Sequence, residues 1–184
     1  MKPYVKPLIL AIVGLIFLSI GLIGAVIGSW ETIPKLYYHF NPPVYNPPPD
    51  TTKISSEKLL TLVNQERQNK GLTPFQENKT LAYIAYLRAK NILDTQEFTH
   101  EATRSGLTNN KLAIKIGYFY ESLSENLAMG GGTEEKIVEA WKESKRHAEI
   151  MFTNEGLDAG VYSQEGIFNG DKRIVTVLIL GKDY

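Results

Sequence analysis

The 184-residue chain has no cysteine and only three histidines. Without cysteine there is no disulfide bond, thiolate metal site or thiol nucleophile, so a folded domain depends on its apolar core. An excess of charge of one sign is also absent, because 20 basic residues balance 20 acidic residues. Nucleic-acid-binding proteins carry a basic surface. The composition therefore argues against a nucleic-acid partner.

Charge is missing altogether from one stretch of the chain, residues 8–28. A helix of this length, at about 1.5 Å per residue, spans the ~30 Å hydrocarbon core of a bilayer. Two lysines precede the stretch and aromatic residues follow it from Trp30 onward, which favours a cytoplasmic N-terminus. We expect a cytoplasmic stub at 1–7, a transmembrane signal-anchor at 8–28, and a single-pass membrane protein whose remainder is extracytoplasmic.

A cleaved signal peptide is the alternative interpretation of this apolar stretch. The apolar regions of signal peptides run over about 7–15 residues and end in a small-x-small cleavage site. The stretch here is longer, and its best candidate site, with Val26 and Gly28 at the key positions, is weak. The sequence therefore favours an anchor. If the segment were cleaved, the protein would be secreted.

A proline-rich segment follows, with five prolines between residues 42 and 49. Proline at this density prevents helix formation and favours an extended polyproline II conformation. Such a segment acts as a semi-rigid spacer. We therefore assign residues 29–54 to a juxtamembrane and proline-rich linker and residues 55–184 to a globular domain, with the boundary near residues 50–54.

Helical periodicity and capping residues predict helices in the first two thirds of this domain. Serine, asparagine and threonine side chains cap helix N-termini, and glycine commonly follows C-termini. The stripe of Ile137, Val138 and Trp141 has helical spacing, and we expect Trp141 to be a core anchor. Helices are expected to begin at Ser55 or Ser56, at Asn78, near Thr108 and at Thr133.

Strand patterns appear late in the chain, after His147. Residues 174–180 are rich in β-branched side chains and predict a buried strand. Asn169-Gly170 predicts a hairpin turn, and residues 159–162 are the expected partner strand. Helices that precede strands in this way favour an α/β domain in which helices cover a sheet.

Two of the three histidines, His100 and His147, flank the acidic residue Glu125 in this domain. Histidine is a common metal ligand and titrates near neutral pH. Two histidines and one carboxylate, with water in the fourth position, make a plausible open zinc site. Each residue lies on a separate element, however. Spacing alone therefore leaves open that both histidines are ordinary surface or hydrogen-bonded side chains.

Short motifs around these residues resemble those of a known family. The chain has Phe-Thr-His at 98–100, Ser-Glu-Asn-Leu-Ala at 124–128 and Trp-x-x-Ser-x-x-His at 141–147. It also has Leu-Val-Asn-Gln-Glu-Arg at 62–67 and Ala-Gly-Val at 159–161. In order and spacing these motifs resemble the bacterial branch of the CAP superfamily, also called the SCP domain, over residues 55–181.

The resemblance implies a three-layer α-β-α sandwich, here preceded by one transmembrane helix and a proline-rich linker. It also implies a cleft with a tetrad of two histidines and two acids, which often binds Zn²⁺ or another divalent cation through the histidines. Carried over to this chain, His100 and His147 are the histidines and Glu125 is one acid. Many members have the second acid where this chain has Ser144. The adjacent Glu143 would share a helical face with His147 if the helix continues. Either Glu143 substitutes for the second acid or the site is a triad.

Asn126 and Ser144 are the expected supporting residues of this site. We expect Asn126 to make a backbone hydrogen bond that holds the loop carrying Glu125. Ser144 stands at the family's second acidic position, next to the turn that leads to the last histidine. Neither residue is expected to bind a metal directly.

Two functions remain open. In the first, a membrane-anchored extracytoplasmic CAP domain is a binding module for a lipid, a peptide or an envelope polymer. In the second, it is a metal-dependent hydrolase or peptidase with Glu125 as general base and a metal-polarised water. The chain has neither the His-Glu-x-x-His helix nor the Gly-x-Ser-x-Gly elbow of common hydrolases. We therefore expect a binding module and keep the hydrolase as the alternative.

Overall fold

The computed structural model describes residues 45–130, 132–155 and 157–183. The expected anchor at 8–28 lies outside these residues, as does most of the expected linker, so both stay predictions. None of the helices in the described part of the chain has the length and apolar content that crossing a membrane requires.

The described part of the chain contains five helices. Their bounds are α1 Ser56–Asn69, α2 Lys79–Thr95, α3 Asn109–Lys115, α4 Glu134–Glu143 and α5 Lys145–Met151. Ser55 caps α1 by accepting from the backbone N–H of Lys58, and Asn78 caps α2 by accepting from Thr80 and Leu81. Thr133 precedes α4 without a side-chain capping bond. The expected helix starts are confirmed, whereas the separate α5 was not predicted.

Four strands form one sheet in the described residues, in the order β1-β3-β4-β2. Strands β3 and β4 make an antiparallel hairpin, whose turn residues Asn169 and Gly170 have φ of 49° and 87°. Both late strands and their turn are therefore confirmed. The strand bounds are β1 Gln76–Glu77, β2 Tyr120–Gly130, β3 Asp158–Phe168 and β4 Asp171–Asp183.

Strand β2 is a correction to the sequence analysis, which expected Glu125 in a loop. Glu125 lies in the middle of this 11-residue strand, opposite Ile179 of β4. The local sequence Ser-Glu-Asn-Leu-Ala has no clear apolar alternation, so periodicity did not reveal a strand. Pairing with the apolar β4 determines its conformation, because β-strand preference depends strongly on cross-strand partners.

The sheet is covered by helices on both faces. Alternate side chains of β4 point to opposite faces: Val175, Val177 and Ile179 pack in one core with residues of α2 and α3, and Leu178 and Leu180 pack in the other with residues of α1 and α4. Trp141 of α4 is 1% exposed and donates from Nε1 to the Leu127 carbonyl, as expected of a core anchor. The domain is therefore an α-β-α sandwich.

The end of the proline-rich segment lies against the sandwich, although the expected boundary was near residues 50–54. The ring of Tyr45 stacks on that of Tyr83 in α2, with centroids 5.0 Å apart. The Tyr162 hydroxyl of β3 lies 3.5 Å from the Pro49 carbonyl. These contacts make residues 45–49 part of the packed domain.

Candidate functional site

A buried ion pair lies between α2 and the edge strand β2. Arg88 of α2 is fully buried and its Nε donates to Oε2 of Glu125 at 3.1 Å. The Glu125 side chain is 3% exposed. Burying a charged group costs much free energy unless a group of opposite charge lies beside it. Each of these two residues is therefore the charge partner that makes the burial of the other tolerable.

His100 completes a three-residue chain from this ion pair to the surface. Its Nδ1 lies 2.9 Å from Oε1 of Glu125, and its side chain is 25% exposed. A carboxylate only accepts hydrogen bonds, so Nδ1 is the nitrogen that carries the proton. In the neutral ring this leaves the Nε2 lone pair for a ligand.

The segment that carries His100 is held by an internal hydrogen-bond network. The Glu97 carboxylate accepts from the Thr103 N–H and hydroxyl, from the Arg104 N–H and from the Thr99 hydroxyl. These donors, led by the Thr103 side chain and the Arg104 backbone, lower the pKa of Glu97 from its ordinary value of 4.5 to about 2. Glu97 therefore fixes the loop that presents His100.

His147 lies on α5 and faces the same site. The centroids of the His100 and His147 rings are 6.3 Å apart, with the planes at 60°. Partial burial, aided by the positive charges of His100 and Arg146, lowers the pKa of His147 below its ordinary value of 6.5. His147 is therefore biased toward its neutral form, which is the form that binds metals.

The site wraps around the edge strand β2, because neighbouring strand residues point to opposite faces. Glu125 points toward Arg88 of α2, whereas the Nδ2 of Asn126 donates to the His147 carbonyl at 3.0 Å on the α5 side. Asn126 therefore makes the expected backbone hydrogen bond, but with α5 and not within a Glu125 loop. We refer to Arg88, His100, Glu125 and His147 together as the histidine site.

Comparisons with known proteins agree with this architecture. Residues 60–165 match the family model described as CAP, the cysteine-rich secretory protein family. The chain belongs to this family. Since the match spans more than half of the chain, the sandwich described above is a CAP domain.

A curated relative of this CAP domain comes from a bacterium. "Uncharacterized protein YkwD" of Bacillus subtilis strain 168 is 29% identical over 119 residues, which cover 64% of this chain and 46% of that protein. The chain thus spans about half the length of that curated relative.

Solved structures share the fold of the CAP domain. An outer surface protein of Borrelia burgdorferi has a TM-score of 0.59 at 21% identity, over 70% of this chain and 92% of that one. An extracellular SCP-domain protein of Bacillus anthracis strain Ames has a TM-score of 0.54 at 21% identity, over 67% of this chain and 39% of that one. At these identities the likeness concerns the fold.

Glu143 and Ser144 lie at a break between two helices, not on one continuous helix. Ser144 has extended backbone angles, with φ of −84° and ψ of 115°, and separates α4 from α5. The condition under which Glu143 would share a helical face with His147 is therefore not met. Glu143 is the exposed last residue of α4.

Arg88 is the residue of the histidine site that the sequence analysis missed. It lies seven residues after Leu81 and four before Ile92, which places it on the buried face of α2. A charged residue within an apolar helical stripe is the signal that could have found it, because unpaired charges are almost never buried. The sequence could not reveal its partner, which comes from a strand 37 residues away.

The rings of His100 and His147 lie near each other but farther apart than two ligands of one tetrahedral zinc ion. With Zn–N bonds of about 2.0–2.1 Å, tetrahedral coordination places the ring centroids about 5.2 Å apart, so from the observed 6.3 Å the rings would have to approach each other to share a zinc ion. Glu125 is engaged by Arg88 and His100. Among the described residues, no group of three or more His, Asp or Glu side chains is arranged to hold a metal ion. Water or a ligand would complete the coordination.

Proposed function

We propose that this protein is a membrane-anchored, extracytoplasmic CAP domain that binds a ligand at the histidine site. The observation that carries the proposal is the buried Arg88–Glu125 pair beneath the two histidines. Replacing such a pair by apolar residues is often neutral or stabilising, so stability alone does not account for it. Ionisable groups with perturbed surroundings are typical of functional sites.

The engagement of Glu125 supports binding over hydrolysis. Its Oε2 accepts from Arg88 and its Oε1 lies within hydrogen-bond distance of His100. A general base needs a free lone pair within reach of the proton that it removes. Glu125 is therefore better placed to orient His100 than to activate water.

The surroundings of the site offer room and polar atoms for a ligand. A groove of about 300 Å³ lies between β2 and α5, lined by Ser124, which precedes Glu125, and by Glu149 and Ile150, which follow His147 by two and three residues. This volume is at the lower end of ligand pockets. Among the described residues, no donor reaches the buried Oδ1 of Asn126. The groove suits part of a lipid, a peptide or an envelope polymer.

A divalent cation such as Zn²⁺ belongs to this proposal, with His100 and His147 as its protein ligands. The test is calorimetric titration of zinc into the full chain in detergent micelles. Stoichiometric binding that disappears in the His100→Ala, His147→Ala double variant is the expected result. His39→Ala is the matched control, because it removes the third histidine and should leave binding unchanged. Binding that survives the double variant would refute this metal site.

Ligand binding itself is tested by co-sedimentation of the full chain, in detergent micelles, with purified cell-wall sacculi, because the proposed anchor would by itself retain the chain on lipid vesicles. We expect the sacculi to retain the full chain, and retention to fall when Ser124 and Ile150 in the groove are changed to bulky residues. Equal retention of these variants and the unaltered protein would place any binding surface elsewhere.

The alternative function is a metal-dependent hydrolase or peptidase at the same site. The hydrogen bond between His100 and Glu125 favours it, since a carboxylate that orients a histidine is a recurrent catalytic arrangement. Loss of peptide turnover in a Glu125→Gln protein that still binds zinc would support the hydrolase. Absence of turnover in the zinc-loaded unaltered protein would count against it.

The extracytoplasmic location is testable separately from the site. Protease added to intact cells should digest the CAP domain. In undigested cells, fractionation should find the domain attached to the membrane fraction. Deletion of residues 8–28 should abolish that attachment. A protected CAP domain would contradict the proposed topology.

A further inference from the structure

Arg88 connects three separate parts of the histidine site. Its Nε donates to Glu125 on β2 at 3.1 Å, its Nη2 donates to the Thr99 carbonyl, and its Nη1 lies 3.4 Å from Oδ1 of Asn91 on its own helix. We propose that Arg88 is the positioning residue of His100: through Glu125 it sets the tautomer of the His100 ring, and through Thr99 it sets the place of the backbone that carries the ring.

The link through Glu125 concerns charge. The guanidinium is always charged in proteins and is the counter-charge that a carboxylate with 3% exposure needs. Charged in this way, Glu125 accepts the Nδ1–H of His100 at 2.9 Å. The hydrogen bond made by one ring nitrogen determines which nitrogen remains free for a ligand. Arg88 therefore acts on Nε2 of His100 without touching the ring.

The link through Thr99 concerns position. Thr99 directly precedes His100, and its carbonyl accepts from the same guanidinium that binds Glu125. The planar fork of arginine donates in two fixed directions, whereas a lysine ammonium is a point charge on a flexible stem. One rigid group thus fixes the position of the Glu125 carboxylate relative to the backbone that carries His100.

Arg67 provides a comparison within the same chain. It is also buried, at 1% exposure, and donates to the backbone carbonyls of Thr73, Met151 and Thr153. Its partners are peptide groups and not a side chain of the histidine site. Replacing Arg67 should therefore disturb packing without changing the tautomer of the neutral His100 ring.

The experiment measures the ring nitrogens of His100 by NMR in the full chain, labelled with ¹⁵N-histidine in detergent micelles. The three histidines give three ring systems, and His39 serves as an internal reference. We expect the Nδ1–H tautomer of His100 to dominate in the neutral ring. In Arg88→Gln the Nε2–H tautomer should become the major form, whereas Arg67→Gln should keep the original one. Thermal unfolding of each variant establishes that it is folded.

Zinc affinity is the second readout, and it rests on the proposed function. Loss of a group that orients a ligand typically weakens metal binding by about 10–100-fold, and we expect this loss in Arg88→Gln. If the unaltered protein binds no zinc, the proposed metal site fails while the tautomer measurement still decides the role of Arg88. The two failures are therefore distinguishable.

Two results would overturn the inference. One is an unchanged His100 tautomer in folded Arg88→Gln, and the other is an equal change in Arg67→Gln. Should Arg88→Gln not fold, Arg88→Lys decides instead. The lysine keeps the charge but not the fork, so a retained Nδ1–H tautomer together with shifted backbone resonances of Thr99 and His100 supports the inference, whereas a major Nε2–H form or unchanged backbone resonances would refute it.

Discussion

Glu97 is the single residue on which the shape of the His100 loop most depends. Its carboxylate accepts hydrogen bonds from two backbone N–H groups and two hydroxyls of residues 99–104. Hydrogen bonds to a charged carboxylate favour the charged form. The conformation of the loop therefore depends on the ionisation of Glu97, a side chain outside the histidine site.

The pH dependence of stability should reveal this role. The pKa of Glu97 falls from 4.5 to about 2 on folding, so its stabilising contribution is complete above pH 4.5 and is lost as the pH falls toward 2. We expect the stability difference between the unaltered protein and Glu97→Gln to be largest near pH 6 and to shrink over this range. Urea unfolding at several pH values measures it.

Glu101→Gln is the control for this measurement, because Glu101 is an exposed carboxylate of the same loop. Its stability difference from the unaltered protein should stay small at every pH. A Glu97→Gln difference that remained constant between pH 6 and pH 2.5 would show that Glu97 does not stabilise the loop through its charge.

At the scale of elements, the position of α2 is set by a close approach to the sheet. A Cβ on Gly160 of β3 would lie 2.0 Å from the backbone nitrogen of Ala82 in α2. Only a residue without a side chain permits this contact. Because α2 carries Arg88, this approach also places the guanidinium opposite β2.

Substitution of Gly160 should therefore separate α2 from β3. Overpacking of this kind typically lowers stability by about 1–3 kcal/mol. We expect the loss in Gly160→Ala to lie at or above the upper end of this range, because the added Cβ would meet backbone atoms of α2, which cannot rotate away. Gly132→Ala is the control, since its Cβ would meet only the Lys136 side chain, at 3.5 Å from Cβ and 3.6 Å from Cδ. Denaturant unfolding of both variants is the measurement; equal stabilities would contradict the packing argument.

Elements also show where prediction from sequence succeeded and failed. The α2 start at Asn78 and the β3–β4 turn at Asn169-Gly170 were predicted because local hydrogen bonds and turn residues specify them. Strand β2 was not, because its pairing partner lies about 50 residues further along the chain. Glu125 was selected correctly as a residue of interest but placed on the wrong type of element.

At the scale of the whole molecule, the proline-rich segment is less independent of the domain than its composition suggests. Tyr45 stacks on Tyr83 with an angle of 9° between the planes, and Pro49 meets Tyr162. Asp50 accepts from the N–H and hydroxyl of Ser56 at the start of α1. Residues 45–50 therefore contribute to the stability of the CAP domain.

The stacked pair gives a test of that contribution. Aromatic pairs contribute about 0.5–1.5 kcal/mol beyond the area that they bury, so Tyr45→Ala should destabilise the domain by at least this amount. A double-mutant cycle with Tyr83→Ala isolates the interaction from other effects of the two changes. Additive losses in the double variant would show that the segment does not pack on α2 in solution.

The helices with their caps, the late hairpin and the family could be predicted from the sequence alone, because they depend on local hydrogen bonding, on periodicity and on short motifs. It also indicated His100, Glu125 and His147 through their motifs. The tertiary structure was needed to show that Arg88 lies beneath Glu125, that Glu143 and His147 lie on separate helices divided at Ser144, and that β2 is a strand. Each of these depends on contacts between residues distant in sequence, whose energies come from burial and charge pairing.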